Sequence, residues 1–262
     1  TDAAQVWVYD PKRDVATRLT SGDLDTRPIW SPDGRYIVFW RAGAGLVQAR
    51  ADGARQSQVL VPGTGAFSPS SFTPDGRRLA YSTTTTATGT QQLWTVPIED
   101  RDGELHAESP EPFLESQFTE QFPAFSPDGR WLAYSSNESG TNEVYVRPFP
   151  PPASGQGSRW QVSNSGGIAP RWSRNGRELI YVAGDRFMAV TYTANGDAFA
   201  ADKPRVWGAA TTNPNGWDLA PDGTRVLLAT RVGGSGATNA EHHIVFVQNF
   251  FDELRRRVPL GR

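Results

Sequence analysis

One arrangement of apolar and polar residues recurs five times along the chain. An aromatic or apolar residue precedes a four-residue turn, and a basic residue or Thr then leads into a short apolar strand. The Asp or Asn of the turn stands at positions 33, 75, 128, 175 and 222, with spacings of 42, 53, 47 and 47 residues. The five copies read Trp30-Ser-Pro-Asp-Gly-Arg35, Phe72-Thr-Pro-Asp-Gly-Arg77, Phe125-Ser-Pro-Asp-Gly-Arg130, Trp172-Ser-Arg-Asn-Gly-Arg177 and Leu219-Ala-Pro-Asp-Gly-Thr224.

Each copy predicts a β-hairpin. Pro fixes φ at about −65°, which suits a type I turn, and Gly supplies the left-handed residue that reconnects the strands. An Asp in such a turn accepts hydrogen bonds from its own backbone. We therefore interpret Asp33, Asp75, Asp128 and Asp222 as turn residues, and not as ligands of a calcium ion.

A second pair of strands follows each hairpin. Residues 92–96 and 111–114 form one such pair, and residues 143–146 and 159–162 form another. Four short strands in each repeat of 42 to 53 residues are typical of a β-propeller blade. A β-sandwich would not repeat one turn five times, so the predicted fold class is an all-β propeller of four-stranded blades.

The ends of the chain determine how such a ring closes. Residues 5–9 and 16–20 resemble the third and fourth strands of a preceding blade, and residues 243–248 resemble a third strand. The ring therefore has five or six blades, and a six-bladed parent is favoured. We predict a single propeller domain over residues 1–262, with residues 250–262 as a short C-terminal cap.

Composition narrows the possible functions. The 26 basic and 28 acidic residues give a net charge of −2, without the basic excess of a nucleic-acid-binding protein. There is no Cys, which excludes disulfides and thiol chemistry, and no apolar run is long enough for a membrane span. The three histidines, His106, His242 and His243, lack the spacing of a zinc site. We therefore expect no metal and no cofactor.

The repeats resemble a known family, the TolB-like propellers with their Ser-Pro-Asp-Gly turns. Residues 27–34, 122–140, 143–150 and 249–254 are similar to the C-terminal propeller of bacterial membrane-anchored serine/threonine kinases. The resemblance implies an extracytoplasmic location, periplasmic or at the cell surface, and contact with a membrane only through a segment upstream of this chain. No kinase motif occurs in the sequence.

No nucleophile motif points to catalysis. There is no Gly-x-Ser-x-Gly sequence, and no histidine stands where it would activate a serine. We therefore expect a recognition or sensor propeller that is not an enzyme. Two alternatives stay open: a hydrolase or lyase that uses the channel carboxylates Glu115, Glu120 and Asp218, and a structural repeat scaffold.

A ligand would bind where the loops entering each first strand converge at one end of the central channel. These loops contain the candidate ligand-binding residues, which are Arg27, Glu120, Gln121, Arg171, Asn215 and Trp217. Their mixture of charge, amide and aromatic groups suits a protein, a peptide or a small polar ligand. Arg27 and Arg171 are the best anchors because arginine makes fork-like contacts with carboxylates. Alternatively, both arginines pair with acidic neighbours inside the channel. We expect the tryptophans at 30, 131, 160 and 172 to pack between blades.

Overall fold

The computed structural model of the protein describes residues 4–10, 13–21, 24–84, 88–152, 158–210, 216–220 and 222–228. These residues form 22 β-strands, all paired antiparallel, so the predicted all-β fold class is confirmed. We number as blade 1 to blade 5 the sheets that contain the five successive turns. Among the described residues, no helix is long and apolar enough to cross a membrane.

The strands follow the repeat. Before blade 1 lie β1 (Trp7–Asp10) and β2 (Val15–Arg18). Blade 1 contains β3 (Asp25–Trp30), β4 (Tyr36–Arg41), β5 (Gly45–Arg50) and β6 (Gln58–Pro62). Blade 2 contains β7 (Phe67–Phe72), β8 (Arg78–Thr84), β9 (Gln91–Arg101), β10 (Glu104–Ala107) and β11 (Glu111–Leu114). Blade 3 contains β12 (Glu120–Phe125), β13 (Trp131–Ser136), β14 (Glu143–Pro148) and β15 (Trp160–Gln161). Blade 4 contains β16 (Ile168–Trp172), β17 (Glu178–Ala183), β18 (Arg186–Asn195), β19 (Ala198–Ala201) and β20 (Arg205–Ala209). The described part of blade 5 is β21 (Trp217–Leu219) and β22 (Val226–Leu228).

The recurring turns are held by the hydrogen bonds that the sequence predicts. In blade 3, Oδ1 of Asp128 accepts a bond of 3.1 Å from the backbone N–H of Arg130. The hydroxyl of Ser126 donates to the same oxygen at 2.5 Å and accepts the backbone N–H of Trp131 at 3.0 Å. Equivalent bonds to the turn carboxylate or amide occur in the other four turns. The interpretation of the Asp residues as turn residues is therefore confirmed.

A β-bulge interrupts the innermost strand of blades 1 to 4 at one common place. In blades 1, 3 and 4, two residues of the innermost strand oppose a single residue of the second strand. The first residue of each bulge, Arg27, Phe122 or Ala169, precedes Pro and has a φ of 57°, 55° or 52°. Pro has no N–H to donate to a sheet, so it fits only at an edge or a bulge.

Backbone groups at the bulges and just after them bind the neighbouring blades. The N–H of Ala169 donates to Oγ of Ser135 at 3.1 Å, which joins blade 4 to blade 3. The indole N–H of Trp172 donates to the carbonyl oxygen of Ala124 at 2.8 Å across the same interface. The N–H of Phe125 donates to Oγ of Ser71 in blade 2 at 3.1 Å. The innermost strands of blades 1 to 4 therefore lie side by side, as they do around the channel of a propeller.

Apolar side chains fill the interfaces between blades. Trp131 and Trp172 are buried between blades 3 and 4, and Trp160 packs against them, as the sequence analysis expects. Trp30 differs because 52% of its surface is exposed among the described residues. The expectation that all four tryptophans pack between blades is therefore wrong for Trp30.

The third strand of blade 2 is longer than the predicted 92–96, and the third strand of blade 4 is long as well. Strand β9 continues past its pairing with β11 and forms a second hairpin with β10, and β18 forms a similar hairpin with β19. Asp102 and Gly103 turn the first of these hairpins with φ of 54° and 76°. The two-residue Asp-Gly sequence is a strong hairpin signal. The prediction of four strands in each repeat did not include this second hairpin.

The number of blades stays a prediction. Strands β1 and β2 pair as expected for the outer half of a blade that precedes blade 1. The predicted strand at 243–248 and the predicted cap at 250–262 lie outside the described residues.

We predict that Ser126→Ala destabilises the protein. The substitution leaves the backbone N–H of Trp131 without its acceptor at a position where Ser126 is only 1% exposed. An unpaired buried donor costs about 1–3 kcal/mol, and each kcal/mol lowers Tm by roughly 2–4 °C for a domain of this size. Thermal melts followed by circular dichroism measure the change. The control Ser165→Ala, at an exposed serine, should stay within about 0.5 kcal/mol of the wild type. Equal melting of the two variants would contradict the assigned role.

Candidate functional site

The channel mouth is the end of the propeller at which the innermost strands begin. We use this name for the region of Arg27, Glu120, Gln121, Arg171 and Trp217, which lie in strands β3, β12, β16 and β21 and not, as the sequence analysis expects, in the loops before them. These are five of the six residues that the sequence analysis selects. Asn215, the sixth, lies outside the described residues. Glu120 and Trp217 are buried.

Arg171 and Trp217 come into direct contact. The guanidinium carbon of Arg171 lies 5.6 Å from the centre of the Trp217 ring, a cation–π contact between blades 4 and 5. Nη1 of Arg171 donates to the carbonyl oxygen of Pro170 at 2.9 Å, and its Nε lies 3.8 Å from Oδ1 of Asp218. Burial lowers the pKa of Arg171, and the Asp218 carboxylate opposes this effect. An arginine guanidinium is nevertheless not deprotonated in proteins.

Arg27 lies at the bulge of blade 1 and is exposed. Its Nη1 is 3.5 Å from the carbonyl oxygen of Phe67, the first residue of the innermost strand of blade 2. Among the described residues, no carboxylate lies within salt-bridge distance of its guanidinium. Arg27 therefore reaches from the innermost strand of blade 1 to that of blade 2 without an ion pair among the described residues.

Glu120 is enclosed and forms no ion pair among the described residues. Its Oε1 accepts hydrogen bonds from the hydroxyls of Ser116 at 2.9 Å and Ser136 at 3.3 Å. Its Oε2 is buried without a partner among the described residues. Burial raises the pKa of Glu120 to about 7, with a smaller contribution from Glu138, while the two hydroxyls and Arg147 act in the opposite direction.

The same position in blade 1 shows what Glu120 lacks. Asp25 and Glu120 each stand eight residues before the turn Asp of their blade, and each opens an innermost strand. Asp25 pairs with Arg41 through bonds of 2.7 and 2.9 Å, whereas the residue opposite Glu120 is Ser136. Asp25 and Arg41 are not among the predicted site residues, although the equal spacing of Asp25 and Glu120 from their turns was a signal that could have located the pair.

The remaining contacts at this end join one blade to the next connecting loop. Gln92 binds the backbone of Ser116 and Phe118, and Glu143 accepts the N–H of Gly166 at 2.9 Å. Gln121 follows Glu120 on β12, and its side chain is partly exposed. Glu120 thus faces the contact between blades 2 and 3, whereas Asp218 faces Arg171, so these two carboxylates do not form an acid pair.

The described residues include no group of three or more His, Asp or Glu side chains that could hold a metal ion. The chemistry that this surface offers is therefore that of guanidinium, carboxyl, amide and indole groups.

Comparison with known proteins identifies a peptidase as a sequence relative. No family model matches the chain. The uncharacterized peptidase YuxL from Bacillus subtilis (strain 168) is 30% identical over 149 residues, which are 55% of this chain and 20% of that protein. The chain therefore spans about a fifth of the length of this relative.

Solved structures show the fold. TolB from Acinetobacter baumannii superposes with a TM-score of 0.63 and 17% identity, over 89% of this chain and 56% of that one. A puromycin-hydrolyzing peptidase of Mycobacterium tuberculosis superposes with a TM-score of 0.52 and 17% identity, over 76% and 35% of the two chains. The chain therefore has the fold of the TolB-like β-propellers, as the turn motifs predict.

The peptidase relative overturns one expectation. Sequence analysis predicts that the protein is not an enzyme, and this prediction is contradicted because a sequence relative is a peptidase. The prediction rested on the lack of a nucleophile motif in 262 residues. Such a lack carries no weight when the chain spans only 20% of the relative.

We predict that Glu120→Gln stabilises the protein increasingly as pH rises from 5 to 8. A carboxyl with a pKa of about 7 in the folded state and 4.5 in the unfolded state holds its proton longer when folded. Stability therefore falls as pH rises through this window, and Gln removes the effect. We expect the variant to melt about 2–4 °C above the wild type at pH 8, for a gain of about 1 kcal/mol, with a smaller difference at pH 5.

Glu108→Gln is the matched control because Glu108 is exposed. Its melting difference from the wild type should not change with pH. A difference for Glu120→Gln that is equally constant from pH 5 to 8 would show that Glu120 titrates normally.

Proposed function

We propose that this propeller recognises a peptide or small polar ligand through a carboxylate bound at the channel mouth, as the recognition domain of a larger enzyme of the peptidase class. The observation that carries the proposal is that neither Arg27, the third residue of β3, nor Arg171, the fourth of the five residues of β16, forms a short ion pair with a carboxylate of the described residues. The peptidase relative supports the class of the larger protein. An extracytoplasmic location stays a prediction from the resemblance to the kinase propellers.

The guanidinium N–H groups of Arg27 and Arg171 form no short ion pair among the described residues, whereas those of other arginines do. Arg41 and Arg78 reach their carboxylates at 2.7 and 2.6 Å. Arg171 lies 3.8 Å from Asp218, whose side chain is 73% exposed. A carboxylate of a ligand can therefore displace the weak contact with Asp218 and form short, charge-assisted hydrogen bonds.

Trp217 prepares Arg171 for this role. The indole ring packs on Phe187 with centroids 4.8 Å apart and is only 4% exposed. A ring fixed in this way holds the guanidinium lying over it, which reduces the side-chain entropy lost when a ligand binds. The alternative of catalysis by channel carboxylates is less well supported because Glu120 is enclosed by two serine hydroxyls.

We predict that the protein binds trialanine more tightly than trialanine amide, because only the acid offers a carboxylate. Arg171→Gln should weaken binding of the acid by about tenfold, which corresponds to roughly 1.4 kcal/mol for a lost charge-assisted hydrogen bond. Arg27→Gln should weaken it in the same direction. Isothermal titration calorimetry at low ionic strength measures the affinities.

Arg174→Gln is the matched control, since Arg174 is an exposed arginine on the turn of the same blade. It should bind trialanine as the wild type does. Equal affinity for acid and amide, equal loss in Arg174→Gln and Arg171→Gln, or no binding of either peptide would each refute the proposed function.

A further inference from the structure

The second hairpins of blades 2 and 4 occupy equivalent places. The register pairs Leu105 with Asp100 in blade 2 and Phe199 with Ala194 in blade 4, so Leu105 corresponds to Phe199. By the same register Ile98 corresponds to Tyr192. Each hairpin lies against the blade before it, at the end of the propeller opposite the channel mouth.

In blade 4 this place is filled by aromatic rings of the protein. Tyr192 and Phe199 stack at 5.4 Å with 19° between their planes. Tyr192 contacts Trp172 edge-on at 4.8 Å, and Phe199 lies 5.3 Å from Trp131 of blade 3. The Tyr192 hydroxyl lies 3.9 Å from the point that a Cβ would occupy at Gly176 of the blade 4 turn. The rings therefore close the space between hairpin and turn.

In blade 2 the equivalent residues, Ile98 and Leu105, are smaller than Tyr and Phe, and they are buried in the core between blades 1 and 2. Beside them a cleft of about 710 Å³ lies between the hairpin and the turns of blades 1 and 2. We call it the lower cleft. Its apolar lining consists of Pro32, Phe72, Pro74, Ile98 and Leu105. Gly76, which corresponds to Gly176, also lines it.

The walls of the lower cleft are fixed without a ligand. The side-chain amide of Gln48 donates to the carbonyl oxygen of Leu105 at 2.5 Å and accepts its N–H at 2.9 Å. Arg55 pairs with Glu104 at 2.6 Å. These bonds join the hairpin of blade 2 to blade 1. The lower cleft therefore has fixed walls before any ligand binds.

The lower cleft carries an excess of negative charge. Four carboxylates line it, against the two guanidiniums of Arg35 and Arg77. Arg35 pairs with both Asp33 and Asp100, and Glu99 pairs with Arg101. Asp75 forms no ion pair within 4.0 Å among the described residues. A hydrogen bond from Thr73 is the largest influence that lowers the pKa of Asp75, so its carboxylate is charged at neutral pH.

We propose that the lower cleft binds an aromatic ring that carries a positively charged group. The ring would take the place that Tyr192 and Phe199 fill in the other half of the chain. Its cation would lie near Asp75, the carboxylate without an ion pair. An aromatic amine, or an N-terminal tyrosine of a peptide, has this chemistry. The site is separate from the channel mouth and does not depend on the function proposed for it.

Tyramine tests the proposal because it joins a phenol ring to an ammonium group. We expect saturable binding to the full chain by ligand-observed NMR, weaker binding of the uncharged p-cresol, and the weakest binding of 4-hydroxyphenylacetate. The double variant Ile98→Tyr/Leu105→Phe copies blade 4 and fills the cleft, so tyramine binding should be lost while Tm is retained or raised. Arg171→Gln should bind tyramine as the wild type does.

Asp75→Asn is a second variant, and we expect it to fold because an Asn already occupies the same turn position in blade 4. Blade 4 has Asn175 at this position, and its Oδ1 accepts the hydroxyl of Ser173 and the N–H of Arg177 as Asp75 accepts those of Thr73 and Arg77. We expect tyramine to bind about two- to fivefold more weakly, as for the loss of a partly exposed ion pair. The control Asp128→Asn changes the turn of blade 3 and should leave the affinity unchanged.

Four results would overturn the proposal. The first two are equal binding of tyramine and 4-hydroxyphenylacetate, and equal effects of Asp75→Asn and Asp128→Asn on tyramine binding. The third is a lack of saturable tyramine binding, and the fourth is tyramine binding that survives in a folded Ile98→Tyr/Leu105→Phe variant, which would place the ligand elsewhere.

Discussion

The open edge of each innermost strand is the feature on which the hydrogen bonds between blades depend. The innermost strand ends its sheet, so half of its backbone N–H and C=O groups face away from the second strand. At the β-bulge the N–H of Ala169 donates to Ser135, and just after the bulge of blade 3 the carbonyl oxygen of Ala124 accepts the indole N–H of Trp172 across the same interface. The positive φ of the residue before Pro is the conformational cost of this arrangement, which is of order 1–3 kcal/mol per residue.

The bulge also determines what the channel mouth presents. Arg27 stands at the bulge itself and Arg171 two residues after the bulge residue of its own strand, so both guanidiniums start from a rigid backbone. Glu120 stands two residues before a bulge and points into the contact between blades, where serine hydroxyls receive it. These charged residues therefore differ in accessibility along the innermost strand. Glu120 is enclosed between blades, whereas the side chains of Arg27 and Arg171 are at least partly exposed.

Local features of the fold could be predicted from the sequence, and features that depend on distant residues could not. The Ser-Pro-Asp-Gly turns are determined by four neighbouring residues, so their positions and hydrogen bonds are as expected. The raised pKa of Glu120 depends on Ser136, which lies where blade 1 has Arg41, and only the pairing of strands reveals this difference. The second hairpins did carry a local signal in Asp102 and Gly103. The expectation of four strands per repeat concealed it.

The alternation of short and long third strands divides the chain into pairs of blades. Turn spacings vary between neighbouring blades, but Asp33, Asp128 and Asp222 follow one another at 95 and 94 residues. Among the described residues, blades 1 and 2 together correspond to blades 3 and 4, and the second member of each pair carries the additional hairpin. The structural repeat is thus a pair of blades. At the two equivalent positions one pair has the rings of Tyr192 and Phe199, and the other has the aliphatic side chains of Ile98 and Leu105. A difference at two positions therefore leaves a cleft beside one hairpin while aromatic rings fill the space beside the other.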